Sequence, residues 1–194
     1  WKQYFHVTRV GKRLVIRPSW EEYKERPDDV VLELDPGMAF GTGTHPTTCL
    51  CLEAMEELIF LEATVFDVGC GSGILSMAAA KLGAAQIKAV DIDGVAVRTA
   101  RQNVAKMGLS DRIEVRQGDL LHGTTGKADL IVANILADVI LMLLPDIPQK
   151  LNDDGVFFAS GIIEAYREDV TQAAARVGLK VTKVTQIEDW VGLT

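Results

Sequence analysis

Hydrophobic positions change their spacing along the chain. From residue 64 onward, short apolar runs alternate with longer segments that are alanine-rich or amphipathic. Short apolar runs bounded by glycine or polar residues are typical of buried strands, and the longer segments are typical of helices. Strands that alternate with helices pair in parallel, so the pattern predicts an α/β fold with a doubly wound, mainly parallel, seven-stranded sheet. The predicted strands are 64–68, 86–92, 112–117, 128–133, 155–160, 179–185 and 190–193, and the predicted helices are 74–82, 94–107, 135–144 and 164–177.

The first 60 residues follow a different pattern. Segments 4–9 and 13–18 flank Val10-Gly11-Lys12, and this arrangement predicts a β-hairpin. Residues 30–34 form a further strand candidate. We therefore expect an N-terminal unit over residues 1–45, made of the hairpin and the loop that follows it, to pack on the domain formed by the rest of the chain.

A loop rich in glycine and threonine covers residues 35–48 and leads into a helix. Pro46 suits the first turn of that helix, and Thr44 is the predicted N-cap. That larger domain is expected to cover residues 46–194. The helix is expected to bury its apolar side chains Leu50, Leu52, Met55 and Ile59.

Composition and charge indicate which kinds of partner the chain is expected to bind. The 194 residues suit one domain, and 48% of them are hydrophobic and 24% charged, which is an ordinary soluble composition. The net charge of −7 argues against direct binding to nucleic acid, which depends on many Lys and Arg contacts to phosphates. No apolar run approaches the ~20 residues of a membrane span. The chain begins with Trp1, so we expect it to be a piece of a longer protein.

The cysteines favour a cytoplasmic location. Cys49, Cys51 and Cys70 are an odd set without a Cys-x-x-Cys motif, which indicates free thiols in a reducing compartment. Together with the three scattered histidines they show no metal-ligand spacing, so no metal site is predicted.

A glycine-rich turn follows the strand 64–68. Gly69, Gly71 and Gly73 let the backbone turn sharply and let a ligand approach closely. A dinucleotide fingerprint has the spacing Gly-x-Gly-x-x-Gly and needs a small residue where Ile74 stands. The turn therefore favours a ligand without phosphate, such as S-adenosylmethionine, and Asp67 is expected to face the ammonium group of that ligand through water. A tight turn without a ligand is the alternative.

Acidic residues end the next two strands. Asp91 lies 22 positions after Gly69, where a carboxylate can accept hydrogen bonds from both ribose hydroxyls. Asp93 is better placed as the N-cap of the next helix. Ile92 is expected to lie against the adenine face, and Asp119 to accept the adenine amino group. The alternative for Asp119 is a solvated loop residue.

Three stretches carry a resemblance to a known family. Asp67-Val68-Gly69-Cys70-Gly71-Ser72-Gly73 with Val90-Asp91-Ile92-Asp93 is similar to the class I methyltransferase motifs. The loop Asp35-Pro36-Gly37-Met38-Ala39-Phe40-Gly41-Thr42-Gly43-Thr44-His45-Pro46-Thr47-Thr48 resembles the signature loop of the methyltransferases of large-subunit ribosomal protein eleven, the PrmA type. Asn134-Ile135-Leu136-Ala137 resembles that family's version of the Asn-Pro-Pro-Tyr motif. The resemblance covers nearly the whole chain.

The resemblance implies an activity and a site. The family transfers methyl groups from S-adenosylmethionine to amines of a ribosomal protein, both Lys side chains and an N-terminal α-amine. It also carries an upstream substrate-recognition domain, which we expect to precede this chain. The resemblance assigns cofactor contacts to Thr48, Gly69, Asp91 and Asn134, and places Phe40, Gly41 and Thr44 at the mouth of the pocket.

Asn134 is the predicted catalytic residue. Its side-chain oxygen can accept a hydrogen bond from the substrate amine and direct the amine's lone pair. The alternative is an N-cap for a helix that starts at Ile135. His45 is either a proton-transfer group or a structural residue at a helix start, and Phe40 is either a lid aromatic or part of the core.

Other functions remain as alternatives. Within the same chemistry, the substrate is another protein, a small molecule or a nucleic-acid base; the absence of an aromatic from Asn134-Ile135-Leu136-Ala137 and the acidic charge count against a base. A nicotinamide-dependent oxidoreductase is the alternative of a different class, and Ile74 counts against it. A non-catalytic binding module is the third.

Overall fold

The chain folds as two sheets with helices packed between and around them. The computed structural model describes residues 5–35 and 45–194. The strands are β1 (Thr8–Val10), β2 (Leu14–Arg17), β3 (Val30–Glu33), β4 (Thr64–Val68), β5 (Gln86–Asp91), β6 (Ile113–Gln117), β7 (Ala128–Asn134), β8 (Leu151–Ile163), β9 (Val184–Ile187) and β10 (Trp190–Leu193). The helices are α1 (Pro46–Leu58), α2 (Ile74–Lys81), α3 (Gly94–Lys106), α4 (Ala137–Leu143), α5 (Ile147–Lys150) and α6 (Arg167–Arg176).

The larger sheet has seven strands in the order β6-β5-β4-β7-β8-β10-β9. Strands β4 to β8 pair in parallel, whereas β10 runs antiparallel to both β8 and β9. From β4 the chain adds strands first on one side and then, beginning with β7, on the other. The predicted α/β class with a doubly wound, mainly parallel, seven-stranded sheet is confirmed, and the order reverses between β4 and β7.

The N-terminal hairpin is confirmed but is part of a larger unit. β1 and β2 pair antiparallel, and β3 joins β2 in parallel to complete a three-stranded sheet. The buried side chains of this sheet share one hydrophobic cluster with α1, α2 and the face of the large sheet that they cover. The Glu56 carboxylate on α1 accepts the backbone N–H groups of Lys12, Arg13 and Leu14 at 2.9–3.0 Å. The small sheet is therefore held against α1 by these three hydrogen bonds and packs on the large sheet through the shared apolar cluster.

Two strands of the large sheet differ from the prediction by more than one residue, because pairing partners extend or shorten them. β8 was expected over 155–160 and instead covers Leu151–Ile163, since Leu151 pairs with Ala128 of β7 and Ile162 and Ile163 pair with Val191 and Trp190 of β10. The strand expected over 179–185 forms only at Val184–Ile187, where β10 lies beside it. Leu179 instead closes the end of α6, because its N–H bonds the carbonyl of Ala174.

Three helix starts also differ. α1 is capped by His45, whose Nδ1 accepts the Thr47 N–H, and not by the predicted Thr44, which lies outside the described residues. α4 starts at Ala137 with Leu136 as its N-cap, because the Ile135 N–H still bonds Ser160 across the sheet. The helix predicted over 164–177 is a 3-10 turn (Glu164–Tyr166) followed by α6.

Other local predictions agree with the structure. β4 and β10 have their predicted bounds, and Asp93 caps α3 by accepting the Val95 N–H. Leu50, Leu52 and Met55 are buried on α1. All three cysteines are free thiols. Within residues 5–35 and 45–194, no helix has the length and apolar character to span a membrane.

Candidate functional site

A cavity of about 480 Å³ opens where β4, β5, β6 and β7 end. Parallel strands present their carboxyl ends at one edge, and ligands of such sheets bind where the strand order reverses, here between β4 and β7. The volume is within the usual range of ligand pockets, roughly 300–1,000 Å³. The walls are formed by Thr48, Val68, Gly69, Cys70, Gly71, Ile74, Leu75, Val90, Asp91, Ile92, Gly118, Asp119, Leu120, Asn134, Ile135, Leu136, Val139 and Met142.

The glycine-rich turn forms the floor of the cavity. Gly69, Gly71 and Gly73 have φ of 74°, 52° and 84°, a left-handed backbone that side chains rarely adopt. The Gly69 N–H donates to the Val90 carbonyl at 2.8 Å, so the turn folds back over the end of β5. A Cβ on Gly69 would lie 2.5 Å from Cγ2 of Ile135, which itself lines the cavity. The glycines thus allow the left-handed backbone of the turn, and Gly69 also leaves room for Ile135, the residue that follows β7.

Asp91 joins the turn to the end of β5. Its Oδ2 accepts the Gly71 N–H at 2.9 Å and its Oδ1 accepts the Asp93 N–H at 2.9 Å. Each carboxylate oxygen has a second lone pair, so both retain acceptor capacity toward the cavity that Asp91 lines. The geometry is consistent with a carboxylate held rigidly to accept two neighbouring hydroxyls.

Asp67 differs from the other predicted residues because it lies behind the cavity wall. It is completely buried at the end of β4, and Ser76 Oγ donates to its Oδ2 at 2.7 Å. Oδ1 has no hydrogen-bond partner among the described residues. Burial raises the pKa of Asp67 to about 7; the hydrogen bond from Ser76 opposes this rise and the charge of Asp91 adds to it. A contact with a ligand in the cavity therefore has to be indirect.

Asp119 and Ile92 stand at the rim. The Asp119 side chain is 62% exposed and its Oδ2 lies 3.7 Å from Nδ1 of His122. Ile92 is 70% exposed although it is apolar and sits on the cavity wall. An exposed isoleucine at this position offers a face that a flat apolar ligand would cover.

Asn134 and Thr48 meet on the opposite wall. Asn134 is the last residue of β7, and its Nδ2 donates to Thr48 Oγ1 at 3.4 Å. Thr48, in the first turn of α1, is completely buried from solvent. Asn134 does not cap α4, since Leu136 occupies that position. The predicted alternative role for Asn134, a helix cap, is therefore wrong.

The remaining predicted residues lie apart from this group or outside the described chain. Phe40, Gly41 and Thr44 lie outside the described residues. His45 does not line the cavity: its Nδ1 lies 2.8 Å from Thr47 Oγ1, and its ring packs edge-on against Trp190 with centroids 5.3 Å apart. These contacts and its capping of α1 give His45 a structural role.

A second apolar face of α4 contributes wall residues that the sequence analysis did not single out. Leu136, Val139 and Met142 recur every three residues and line the cavity. Leu136 and Met142 are 69% and 66% exposed, whereas the other face of the helix is buried in the core. The sequence did contain a signal for this wall, since the short helix is apolar on both faces. One apolar face is sufficient for packing on the core, so the second indicates another apolar contact.

Charge distinguishes the ligand classes that this cavity can hold. Among the described residues that line it, none is Lys or Arg, and two, Asp91 and Asp119, are acidic. The Gly71 N–H is already occupied by Asp91. A pyrophosphate, which binds through cations and free N–H groups at a helix N-terminus, is therefore poorly matched. A neutral or cationic ligand with apolar parts is well matched.

Comparisons with known proteins point to one family. The profile of the family described as "Ribosomal protein L11 methyltransferase (PrmA)" matches residues 1–194. A ribosomal protein L11 methyltransferase of Desulfitobacterium hafniense is 53% identical over 191 residues, covering 98% of this chain and 61% of that protein. One from an Exiguobacterium species is 51% identical over 193 residues, covering 100% of this chain and 62% of that protein. The chain thus spans about three fifths of the length of these curated relatives.

A solved structure extends the likeness to the fold. The crystal structure described as ribosomal protein L11 methylase from Lactobacillus delbrueckii subsp. bulgaricus superposes with a TM-score of 0.91 and 38% identity. The match covers 97% of each chain. The two proteins therefore share one architecture over nearly the whole length of this chain.

Proposed function

The chain belongs to the ribosomal protein L11 methyltransferase family, and from that premise we propose that it forms the cofactor-binding and methyl-transfer part of an S-adenosylmethionine-dependent N-methyltransferase. The observation that supports this most strongly is the cavity at the strand ends. It brings Thr48, Asp91, Asn134 and the glycine turn to one space, although they are far apart in the sequence.

The residues present fit S-adenosylmethionine. Asp91, with free acceptor capacity on both oxygens, suits a ribose diol, and the exposed Ile92 suits the adenine face. Asp119 is available for the adenine amino group. The unpartnered Oδ1 of Asp67 suits an ammonium group approached through water. The absence of Lys and Arg from the described wall agrees with a ligand that has no phosphate.

When bound, S-adenosylmethionine supplies a methyl group already activated by its sulfonium. The protein's own residues then have to orient the amine, exclude water and accept hydrogen bonds. We assign orientation to Asn134, whose Oδ1 has no hydrogen-bond partner among the described residues and can accept from the amine while Nδ2 donates to Thr48. The exposed apolar side chains Leu136 and Met142 would lose contact with water when ligand and substrate are in place.

The amine must be neutral to react. A Lys side chain with an ordinary pKa of ~10.4 is neutral in about 4 of 10,000 molecules at pH 7, which costs roughly 4.6 kcal/mol. A desolvated site beside a cationic sulfonium lowers that pKa and offsets part of the cost. No described side chain on the wall is placed as a strong base, so the proton is expected to leave to solvent before the amine enters.

We propose ribosomal protein L11 as the substrate, with both Lys side chains and the N-terminal α-amine as acceptors, and the cytoplasm as the location. We also propose the division into an N-terminal hairpin and loop unit over residues 1–45 and a catalytic domain over 46–194. A substrate-recognition domain upstream is part of this proposal. Direct binding of nucleic acid is not expected, given the net charge of −7.

Methyl transfer to L11 tests the proposal. Purified L11 is incubated with the enzyme and S-adenosylmethionine carrying an isotope-labelled methyl group, and modified residues are mapped by mass spectrometry. Label on Lys side chains and the N-terminus is expected, and it should be strongly reduced by Asn134→Ala. Label confined to RNA, or unchanged turnover of Asn134→Ala at saturating cofactor, would overturn the proposal.

A further inference from the structure

The Asn134 amide can face the cavity in two ways, and only one of them helps the reaction. A side-chain amide has an acceptor oxygen on one side and a donor NH₂ on the other. If Oδ1 faces the substrate, it accepts an N–H of the amine and leaves the nitrogen lone pair free to react. If Nδ2 faces the substrate, it donates to that lone pair and blocks it. Productive chemistry therefore requires a group that fixes the amide orientation.

Thr48 contacts the nitrogen end of the Asn134 amide. Asn134 Nδ2 donates to Thr48 Oγ1 at 3.4 Å, and Oδ1 therefore points to the opposite side of the Cβ–Cγ bond, within the amide plane. Both residues line the cavity, and Thr48 is completely buried from solvent, so water does not compete for its hydroxyl. The contact links the first turn of α1 to the end of β7.

A second hydrogen bond holds Thr48 in place. Ser160, which pairs with Asn134 across β7 and β8, donates through Oγ to the Thr47 carbonyl at 3.0 Å. Ser160 is also completely buried. The first turn of α1 is thus tied to the ends of two neighbouring strands, which fixes the backbone that carries the Thr48 hydroxyl beside Asn134.

We propose that Thr48 is a positioning residue for methyl transfer: its hydroxyl fixes the Asn134 amide with Oδ1 toward the substrate amine. This rests on the proposed function. It gives Thr48 a role toward Asn134 that is separate from any contact with the cofactor.

Steady-state kinetics of matched variants test the role. Thr48→Val keeps the shape and removes the acceptor, so kcat measured at saturating cofactor should fall about tenfold. Thr48→Ser keeps the hydroxyl and should restore kcat to within about threefold of the parent value. Thr47→Val is the control: this hydroxyl contacts His45 and not Asn134, so a kcat within about twofold of the parent is expected.

A double-mutant cycle separates positioning from a direct cofactor contact. In an Asn134→Ala background, Thr48→Val should have no further effect on kcat, because the amide it acts through is gone. If Thr48→Val reduces kcat equally in both backgrounds, or weakens cofactor binding with kcat unchanged, the positioning role is wrong.

A spectroscopic measurement decides the inference independently of turnover. The side-chain NH₂ of Asn134 should give two well-dispersed, exchange-protected amide signals in the S-adenosylhomocysteine complex. Thr48→Val should shift them and increase their exchange, whereas Thr47→Val should not. Unshifted Asn134 signals in Thr48→Val would overturn the inference. If the parent protein transfers no methyl group to an amine, the proposed function fails, and these signals still show whether Thr48 orients Asn134.

Discussion

At the residue scale, the site uses carboxylates that face very different surroundings. Asp91 stands at the cavity wall with backbone N–H groups on both oxygens. Asp67 is buried behind it, with one oxygen bonded to Ser76 and the other without a partner among the described residues. Asp91 is therefore suited to accept hydrogen bonds from a ribose, whereas the ionisation of Asp67 responds to a charge that comes near it.

The burial of Asp67 predicts a pH-dependent stability. The pKa rises from 3.8 to about 7 on folding, mainly because burial removes the carboxylate from water. The folded protein therefore binds more protons than the unfolded chain between these values. The contribution of Asp67 to stability is complete below about pH 3.8 and is lost as pH rises through about 7.

Asp67→Asn should remove this dependence in the ligand-free protein. Relative to the parent, its free energy of unfolding should rise between about pH 5 and about pH 8, by on the order of 3 kcal/mol at most. Urea unfolding at several pH values measures the difference. Ser76→Ala, which removes a hydrogen bond that favours the ionised form, serves as a control whose pH dependence should extend to higher pH than that of the parent. A variant-minus-parent difference that does not change with pH would contradict the assignment.

The same carboxyl predicts proton release on ligand binding. An ammonium group that approaches Asp67 favours its ionised form, so near pH 6.5, just below its pKa of about 7, binding should release a proton. Titrations of S-adenosylhomocysteine in buffers of different ionisation enthalpy measure that release. Asp67→Asn should abolish it, and equal proton release from the parent and the variant would mean that the ammonium group lies elsewhere.

Gly69→Ala should destabilise the protein more than Gly108→Ala, in which a glycine with a similar φ has no neighbouring atoms around its Cβ position. Gly69 has φ of 74° and a Cβ there meets Ile135, whereas Gly108 has φ of 69° and nothing within 4 Å. Both substitutions carry a left-handed strain of about 1 kcal/mol, and only Gly69→Ala adds the clash. Denaturant unfolding should show a larger loss for Gly69→Ala, with ligand binding lost as Ile135 is displaced. Equal losses in the two variants would show that the Ile135 contact is unimportant.

At the scale of elements, the hydrophobic pattern located the strands but not all of their ends. β4 lies among apolar neighbours on both sides, and its pattern alone gave its bounds. The end of β8 and the bounds of β9 depend on where β10 pairs with them. The start of β8 depends on the pairing of Leu151 with Ala128 of β7, of which the polar stretch Asn152-Asp153-Asp154 gives no sign. The burial of a strand can be predicted from its own apolar pattern, whereas the residues at which it begins and ends depend on the distant strand that pairs with it.

The site shows the same division. Motif spacing was sufficient to name Asp91, Asn134 and the glycine turn, because their chemistry follows from residue type and position at a strand end. The sequence did not show that Leu136, Val139 and Met142 of α4 line the cavity. An apolar pattern is the same whether the residues pack in the core or form the wall of a pocket. The indirect position of Asp67 and its bond to Ser76 depend on the packing of α2 on β4.

Glu56 is one of the polar links between the small sheet and the helices that cover the large sheet. Its carboxylate accepts three backbone N–H groups from the hairpin turn, so Glu56→Gln should destabilise the protein by about 1–3 kcal/mol, because one acceptor becomes a donor. Glu57→Gln is the control, since that exposed residue pairs only with Lys183 among the described residues and should cost about 0–1 kcal/mol. Thermal unfolding compares them, and equal losses would remove Glu56 as a link.

At the scale of the whole molecule, parallel topology assembles the site from distant segments. Thr48 and Asn134 are 86 residues apart in sequence, and Thr47 and Ser160 are 113 apart. The reversal of strand order between β4 and β7 opens the cavity that these residues share. The acidic, lysine- and arginine-free described wall then sets the class of ligand, and the membership of the family sets the proposed reaction.

Calorimetric titration of the 194-residue chain with S-adenosylmethionine and, separately, with NAD tests the central claim most directly. We predict saturable binding of one S-adenosylmethionine per chain and no binding of NAD. Asp91→Ala should weaken binding at least about tenfold, the loss of roughly 1.4 kcal/mol of ribose contacts. Asp93→Ala, which removes only the cap of α3, should bind as tightly as the parent. Binding of NAD without binding of S-adenosylmethionine would contradict the account.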